Sequence, residues 1–288
     1  MANLKEIRNR ISSVGSTMQI TSAMKMVSAA KLKKAQDAIV AMRPYADTLT
    51  TLLQNLSATL EGDSGSKFAD QREVNNVLVV AITSNRGLAG AFNSNIVKEC
   101  RNILDTTYAG KNVHFLTLGK KANDILSKSE TIVENNNAIF DDLTYDNTAE
   151  IAQNIMDMFA AGSYDKVVLV YNKFKNAATQ IVMNEQFLPI EASEQEADTT
   201  TQLDFIFEPS KEQIVEELIP KSLKTQLFKA LRDSVASEHG ARMTAMHKAT
   251  DNASELKASL TLEYNKARQA AITGEILEIV GGAEALAG

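Results

Sequence analysis

The stretch Leu260-Thr-Leu-Glu-Tyr-Asn-Lys-Ala-Arg-Gln-Ala-Ala-Ile-Thr-Gly-Glu-Ile-Leu-Glu-Ile-Val280 decides the fold. It closes a run from Lys211 to Leu286 in which good helix formers dominate, strand signals are missing and no proline follows Pro220. At ~1.5 Å of rise per residue, the part after Pro220 alone makes a helix of roughly 100 Å. That is longer than a compact domain can hold, so the helix needs a partner. The comparable stretch is Leu4 to Leu60 at the other end of the chain.

The first helix carries a readable seam. Leu4, Ile7, Ile11, Val14 and Met18 alternate by three and four, and the phase resumes at Leu32, Ala35, Ile39, Met42, Ala46, Leu49, Leu53, Leu56 and Leu60. This heptad pattern predicts a left-handed two-helix coil. Between its two halves the seam positions are Thr21, Lys25 and Ser28, while the apolar residues shift to Ile20, Met24 and Val27. Local repacking explains that turn, and so does a second partner facing it. Pro44 is expected to bend the helix or open one turn. Gly62-Asp-Ser-Gly65 is expected to end it. In the last helix Ala249, Ala253, Leu256, Leu260, Tyr264, Ala267 and Ala271 form a stripe of mean spacing about 3.67, close to a straight helix. A second stripe, Ile272, Ile276, Ile279, Ala283 and Leu286, then takes over, so the turn at Thr273-Gly274 is expected to face more than one neighbour.

Between the terminal helices the pattern changes to alternating strands and helices. Val77 to Thr83 is apolar on both faces and reads as a buried central strand. Helical patterns follow at Asn93–Thr107, Lys120–Ser127 and Thr148–Ala161. Further strands fall at Val113–Leu118, Lys166–Tyr171 and Gln180–Phe187, the last two as a hairpin across Asn172 to Ala178. Residues 74 to about 189 therefore predict an α/β domain with an antiparallel edge. Glu191 to Gln202 is acidic and polar, and Asp204-Phe-Ile-Phe-Glu-Pro209 is a short apolar strand or turn leading into the last helix. The expected division is 1–62, 74–208 and 211–288.

Composition excludes several classes. The formal net charge of −6 argues against a general nucleic-acid binder. One cysteine, Cys100, excludes an internal disulfide and a multi-cysteine metal site. It sits among Ile96, Ile103 and Leu104 and is expected to pack as a small apolar group. No apolar run approaches a membrane span, and the basic N-terminus lacks a signal core. Gly87-Leu-Ala-Gly90, after a strand and before a helix, is a weak match to a phosphate-binding turn. It has neither the Lys-Ser/Thr of a P-loop nor a third glycine. His114, His239 and His247 have no metal-ligand spacing, and no nucleophile, base and acid can be defended. No catalytic residue, metal ligand, cofactor or direct small-molecule substrate is expected. Arg242, Lys266, Arg268 and Glu275 read first as a solvated helix face, although the polar run Asn265–Gln269 beside small residues also suits docking.

The ends of the chain carry a resemblance. Ile20-Thr-Ser-Ala-Met-Lys-Met-Val-Ser-Ala-Ala-Lys-Leu32 resembles the N-terminal signature of the gamma subunits of F-type ATP synthases. Ala241-Arg-Met-Thr-Ala-Met246, Ala249-Thr-Asp-Asn252 and Tyr264-Asn-Lys-Ala-Arg-Gln-Ala-Ala-Ile-Thr-Gly-Glu-Ile276 resemble the C-terminal one, and Ser84–Asn93 is similar to the loop after the first strand. Ala89 stands where many relatives have Cys, and no cysteine-bearing regulatory insert interrupts the centre. The resemblance implies an α/β fold class: a long antiparallel two-helix coiled coil of the N- and C-terminal helices, with a central Rossmann-like α/β domain. It implies a rotor shaft inside a hexamer of alternating alpha and beta subunits, with a foot that binds the epsilon subunit and the membrane c-ring. Proton flow turns the shaft, and the subunit itself makes no bond.

Carried over by position, Met24, Lys25, Arg242, Arg268, Gln269, Thr273 and Glu275 are the expected contacts with the beta catch loops. Phe205, Ile206 and Phe207 are expected near the c-ring. The expected location is the cytoplasmic side of a bacterial inner membrane, peripherally. A turning shaft is expected to show its sleeve charges and small side chains rather than large apolar ones. The competing readings are a coiled-coil scaffold with an α/β head and a nucleotide-dependent enzyme built on the Gly87–Gly90 turn.

Overall fold

The computed structural model describes residues 4–58, 67–68, 70–190 and 211–287. The element order is α1 (Leu4–Ala58), β1 (Asn76–Ile82), α2 (Phe92–Asp105), β2 (Asn112–Leu118), α3 (Lys120–Leu126), β3 (Thr131–Asn136), α4 (Tyr145–Ala160), β4 (Lys166–Phe174), β5 (Gln180–Leu188) and α5 (Lys211–Ala287), with a 3-10 turn at Ala138–Phe140 before α4. The chain divides into two compact units, Met1–Ser28 with Met243–Gly288, and Ala29–Arg242.

The larger unit is built on a five-stranded sheet of order β3-β2-β1-β4-β5. β1 pairs in parallel with both β2 and β4, β2 with β3, and β5 closes one edge antiparallel to β4. Val77 to Ile82 are fully buried because helices cover both faces of β1. Val77, Val79 and Ala81 pack with Ile96, Cys100 and Ile103 of α2 and Leu126 of α3. Leu78, Val80 and Ile82 pack with Ile155, Met156 and Phe159 of α4 and with Leu223, Leu227 and Leu231 of α5. Burial pushes the Cys100 thiol up to about 12, so the group behaves as the expected small apolar side chain. Thr144 caps α4, its side chain accepting from the Asn147 N–H at 3.3 Å.

Two local readings need correction. β3 was not expected: Thr-Ile-Val-Glu-Asn-Asn is short and polar, and as an edge strand it buries side chains on one face only. The hairpin strands extend to Phe174 and restart at Gln180, so the turn is shorter than predicted. α1 continues as helix through Pro44. Val40, whose carbonyl would have accepted the missing N–H, is exposed together with Pro44, so water can take that bond. The Gly62–Gly65 stop, the acidic segment Glu191–Gln202 and the Asp204–Pro209 segment lie outside the described residues.

In the smaller unit the two long helices run antiparallel. Thr250 Oγ1 donates to Thr21 Oγ1 at 2.8 Å, and a Cβ on Gly15 would meet Lys257 Nζ at 3.8 Å. A rising number on α1 therefore meets a falling number on α5. The side chains of α5 that face inward are Met246, Thr250, Ala253, Lys257, Leu260, Tyr264 and Ala267, spaced by four and three in turn. That is the 3.5-residue repeat of a supercoiled pair, not the 3.67 read from the sequence. Leu256, placed in the stripe by its apolar character, is 49% exposed, and Lys257 takes its place with its stem laid toward Gly15.

Candidate functional site

The α1 segment of the smaller unit keeps one buried line through its polar turn. Thr21 and Ser28 are buried, Met24 and Lys25 are half-buried, and Ile20, Met26 and Val27 are exposed. Thr21 and Ser28 satisfy their hydroxyls on the Met18 and Met24 carbonyls, as small polar groups inside a helix must when water is excluded. The heptad phase, not hydrophobicity, sets what faces inward here. The displaced apolar residues are consequently left on the surface.

Among the described residues, the far end of α5 lacks a neighbour of its own chain. With Gly15 opposite Lys257 and the helices antiparallel, Leu4 falls opposite roughly Arg268. Tyr264, Ala267 and Gly274 are half-buried, and Arg268, Gln269, Thr273 and Glu275 are exposed. So are Ile272, Ile276, Leu277, Ile279 and Val280, with Ile279 at 71%. A run of large apolar side chains in water departs from the expectation of charged and small residues only. Such a run marks a contact surface.

Arg242 sits in the larger unit and is only 8% exposed. Its Nη1 is 2.6 Å from Glu238 Oε1, and its Nη2 donates to the Gly87 and Arg86 carbonyls at 3.3 and 3.4 Å. The helix-face reading of this residue fails on burial. The Ser84–Phe92 loop it touches is internally tied: Asn93 Oδ1 accepts from the Ser84 N–H at 3.0 Å, and Ser84 Oγ accepts from Asn93 Nδ2 at 2.9 Å and donates to the Arg86 carbonyl at 2.6 Å. Leu88 at φ 61° and Gly90 at φ 57° make the tight turn. Two of its carbonyls point at a guanidinium, and the Ser84 N–H is already used. The loop is a connector rather than a phosphate cradle.

Two of the three histidines have structural partners. His114 Nδ1 lies 3.1 Å from Tyr164 Oη, and His247 stands 3.4 Å from Asp251 on an exposed helix face. His239 is half-buried, and its Nδ1 has no hydrogen-bond partner. Burial, with Arg242 and Lys31 adding to it, lowers its pKa to about 4. Among the described residues no group of His, Cys, Asp and Glu could hold a metal ion. No described helix is long and apolar enough to cross a membrane. Phe205, Ile206 and Phe207 lie outside the described residues.

A family model described as ATP synthase matches residues 3–286. The ATP synthase gamma chain of Flavobacterium psychrophilum is 69% identical over the whole of both chains, and that of Christiangramia forsetii 67%. The chain belongs to the ATP synthase gamma chain family. A gamma chain is the rotor subunit of the central stalk of an F-type ATP synthase and is not one of its catalytic subunits. The fold agrees. A chain from the OSCP/F1/c-ring structure of Euglena gracilis mitochondrial ATP synthase superposes with TM-score 0.73, 22% identity, and coverage of 98% of this chain and 94% of that one. A chain from the central stalk and c-ring of the Tetrahymena thermophila mitochondrial enzyme gives TM-score 0.61 at 25% identity, covering 80% of this chain and 99% of that one. The exposed end of α5 and the apolar residues around Met24 thus belong to a gamma chain, whose neighbours are other subunits.

Proposed function

We propose that this chain is the shaft of a proton-driven rotary ATP synthase, turning inside a hexamer of alpha and beta subunits. Its foot binds the epsilon subunit and the c-ring, and it lies peripherally on the cytoplasmic side of a bacterial inner membrane. Residues 1–62 and 211–288 serve as the shaft and residues 74–208 as the body of the foot, with Phe205 to Phe207 near the ring. The observation that carries this reading is the end of α5. Arg268, Gln269, Thr273 and Glu275 are exposed there beyond the reach of α1, next to large apolar side chains that need cover. Met24 and Lys25 belong to the same contact zone through the exposed turn around Ile20, Met26 and Val27. Exposed charges exchange partners cheaply, since each screened surface pair is worth about 0–1 kcal/mol. That suits contacts made and released in every step.

The test is reconstitution. This chain, assembled with alpha, beta and the membrane sector, restores coupled synthesis. Arg268→Ala and Gln269→Leu each lower synthesis several-fold while the melting temperature of the complex stays within about 1 °C, because an exposed substitution costs at most about 0.5 kcal/mol of folding. Parallel losses of synthesis and thermal stability would refute the contact role.

A further inference from the structure

The sheet has a topological switch point that the rotor function leaves unused. From β1 the chain moves to β2 and β3 on one side, and α4 then returns it to β4 on the other side of β1. Open α/β sheets bind ligands in the crevice outside the carboxyl ends of two such strands. Here α5 occupies that crevice. Ser237 Oγ donates to the Asn172 carbonyl at 2.9 Å, and Asn172 Nδ2 donates to the Phe92 carbonyl at 3.1 Å, both buried. Gly240 lies so close to the hairpin turn that a Cβ would stand 3.2 Å from Ala177 Cα. Two residues on, the Arg242 guanidinium reaches the loop after β1.

We propose that Arg242 is a positioning residue: it clamps the Ser84–Phe92 loop to α5 and acts on coupled synthesis through that loop, not through contact with another subunit. The proposal rests on the rotor reading. Its planar fork is spent on three oxygens of this chain, and little of the side chain is left for a partner. The clamp is not needed to hold α5, which is already fixed by Ser237, by the Gly240 approach and by Leu227 and Leu231 in the core. The middle of the loop is the element that depends on it, since Asn85 is held by Asn137 and Lys120, and Phe92 by Asn172. Its tip, Arg86 to Leu88, is exposed, and Leu88 is 67% exposed at a positive φ that leucine rarely adopts. Such a tip keeps one conformation only while its carbonyls are tied down.

The experiment compares complete ATP synthase carrying the unaltered chain, R242Q, R242K or N93A. Hydrogen exchange is read over residues 84–92, with synthesis and hydrolysis rates measured on the same samples. R242Q is expected to raise exchange in the loop on the order of tenfold, to leave β4 and α4 unchanged, and to lower synthesis more than hydrolysis. R242K gives an intermediate result, because one ammonium cannot span the same three oxygens. N93A cuts the Ser84–Asn93 tie across the base of the loop and reproduces the R242Q pattern with Arg242 intact. Lowered synthesis with unchanged loop exchange would overturn the proposal in favour of direct contact. A loosened loop with full synthesis would overturn it too, as would faster exchange across the whole larger unit. Failure of the unaltered chain to restore activity refutes the rotor reading instead, a separate outcome.

Discussion

His239 offers the sharpest quantitative check of the packing of α5. The imidazole is half-buried with its Nδ1 enclosed and unpaired, and its pKa falls from 6.5 to about 4. Burial is the main cause, and the nearby Arg242 and Lys31 charges add to it. The neutral form is therefore the folded form. Between the two values the unfolded chain binds the proton and the folded chain does not. The resulting stability is fully present above pH 6.5 and drains away as pH falls toward 4. At about 1.4 kcal/mol per unit, the ceiling is about 3 kcal/mol. Between pH 7.5 and 5 roughly 2 kcal/mol of that would be lost, and residual solvent access trims the figure to about 1–2 kcal/mol. His239→Gln removes the titration and keeps much of the volume. Urea unfolding at both pH values should show the unaltered chain losing about 1–2 kcal/mol more than the variant. With only three histidines in the chain, proton NMR can follow each ring separately. Equal losses in the two proteins, or a His239 ring that titrates near 6.5, would refute the reasoning.

Two further substitutions probe the seam and the sheet. Leu260→Ala empties a buried seam position and should cost about 2–3 kcal/mol, the low end for leucine because only two helices enclose it; an unchanged unfolding midpoint would contradict the 3.5-residue register. Gly119→Ala should cost about 3 kcal/mol or more. Gly119 has φ 111°, and its added Cβ would collide with the Thr83 carbonyl at the end of β1; a soluble variant with the native melting temperature would refute that.

Much of this architecture is legible along the chain because it follows from spacing. The seam of α1 appears as apolar residues at alternating intervals of three and four, and its phase can be carried through Thr21, Lys25 and Ser28 even where hydrophobicity fails. β1 is legible because a strand covered on both faces must be apolar throughout. β3 is not, since an edge strand with one buried face needs few apolar residues and Thr131–Asn136 supplies few. Leu256 and Lys257 were exchanged for a related reason. Side-chain polarity favours the leucine, whereas the supercoil brings the next position inward, where a lysine stem can lie against a glycine.

The sequence by itself determined that two long helices pair around an α/β insertion, that a polar run falls at Asn265–Gln269 and that the apolar stripe changes near Thr273-Gly274. All three are one-dimensional consequences of period and charge. Only the tertiary structure decided which of these side chains are exposed. Arg268, Gln269, Thr273 and Glu275 stay exposed because no described residue of α1 covers them. Arg242, on the same helix and of the same charge, is buried against Glu238 and the loop after β1. Its fate was set by a loop some 155 residues away in sequence, and no local pattern around Arg242 encodes that meeting.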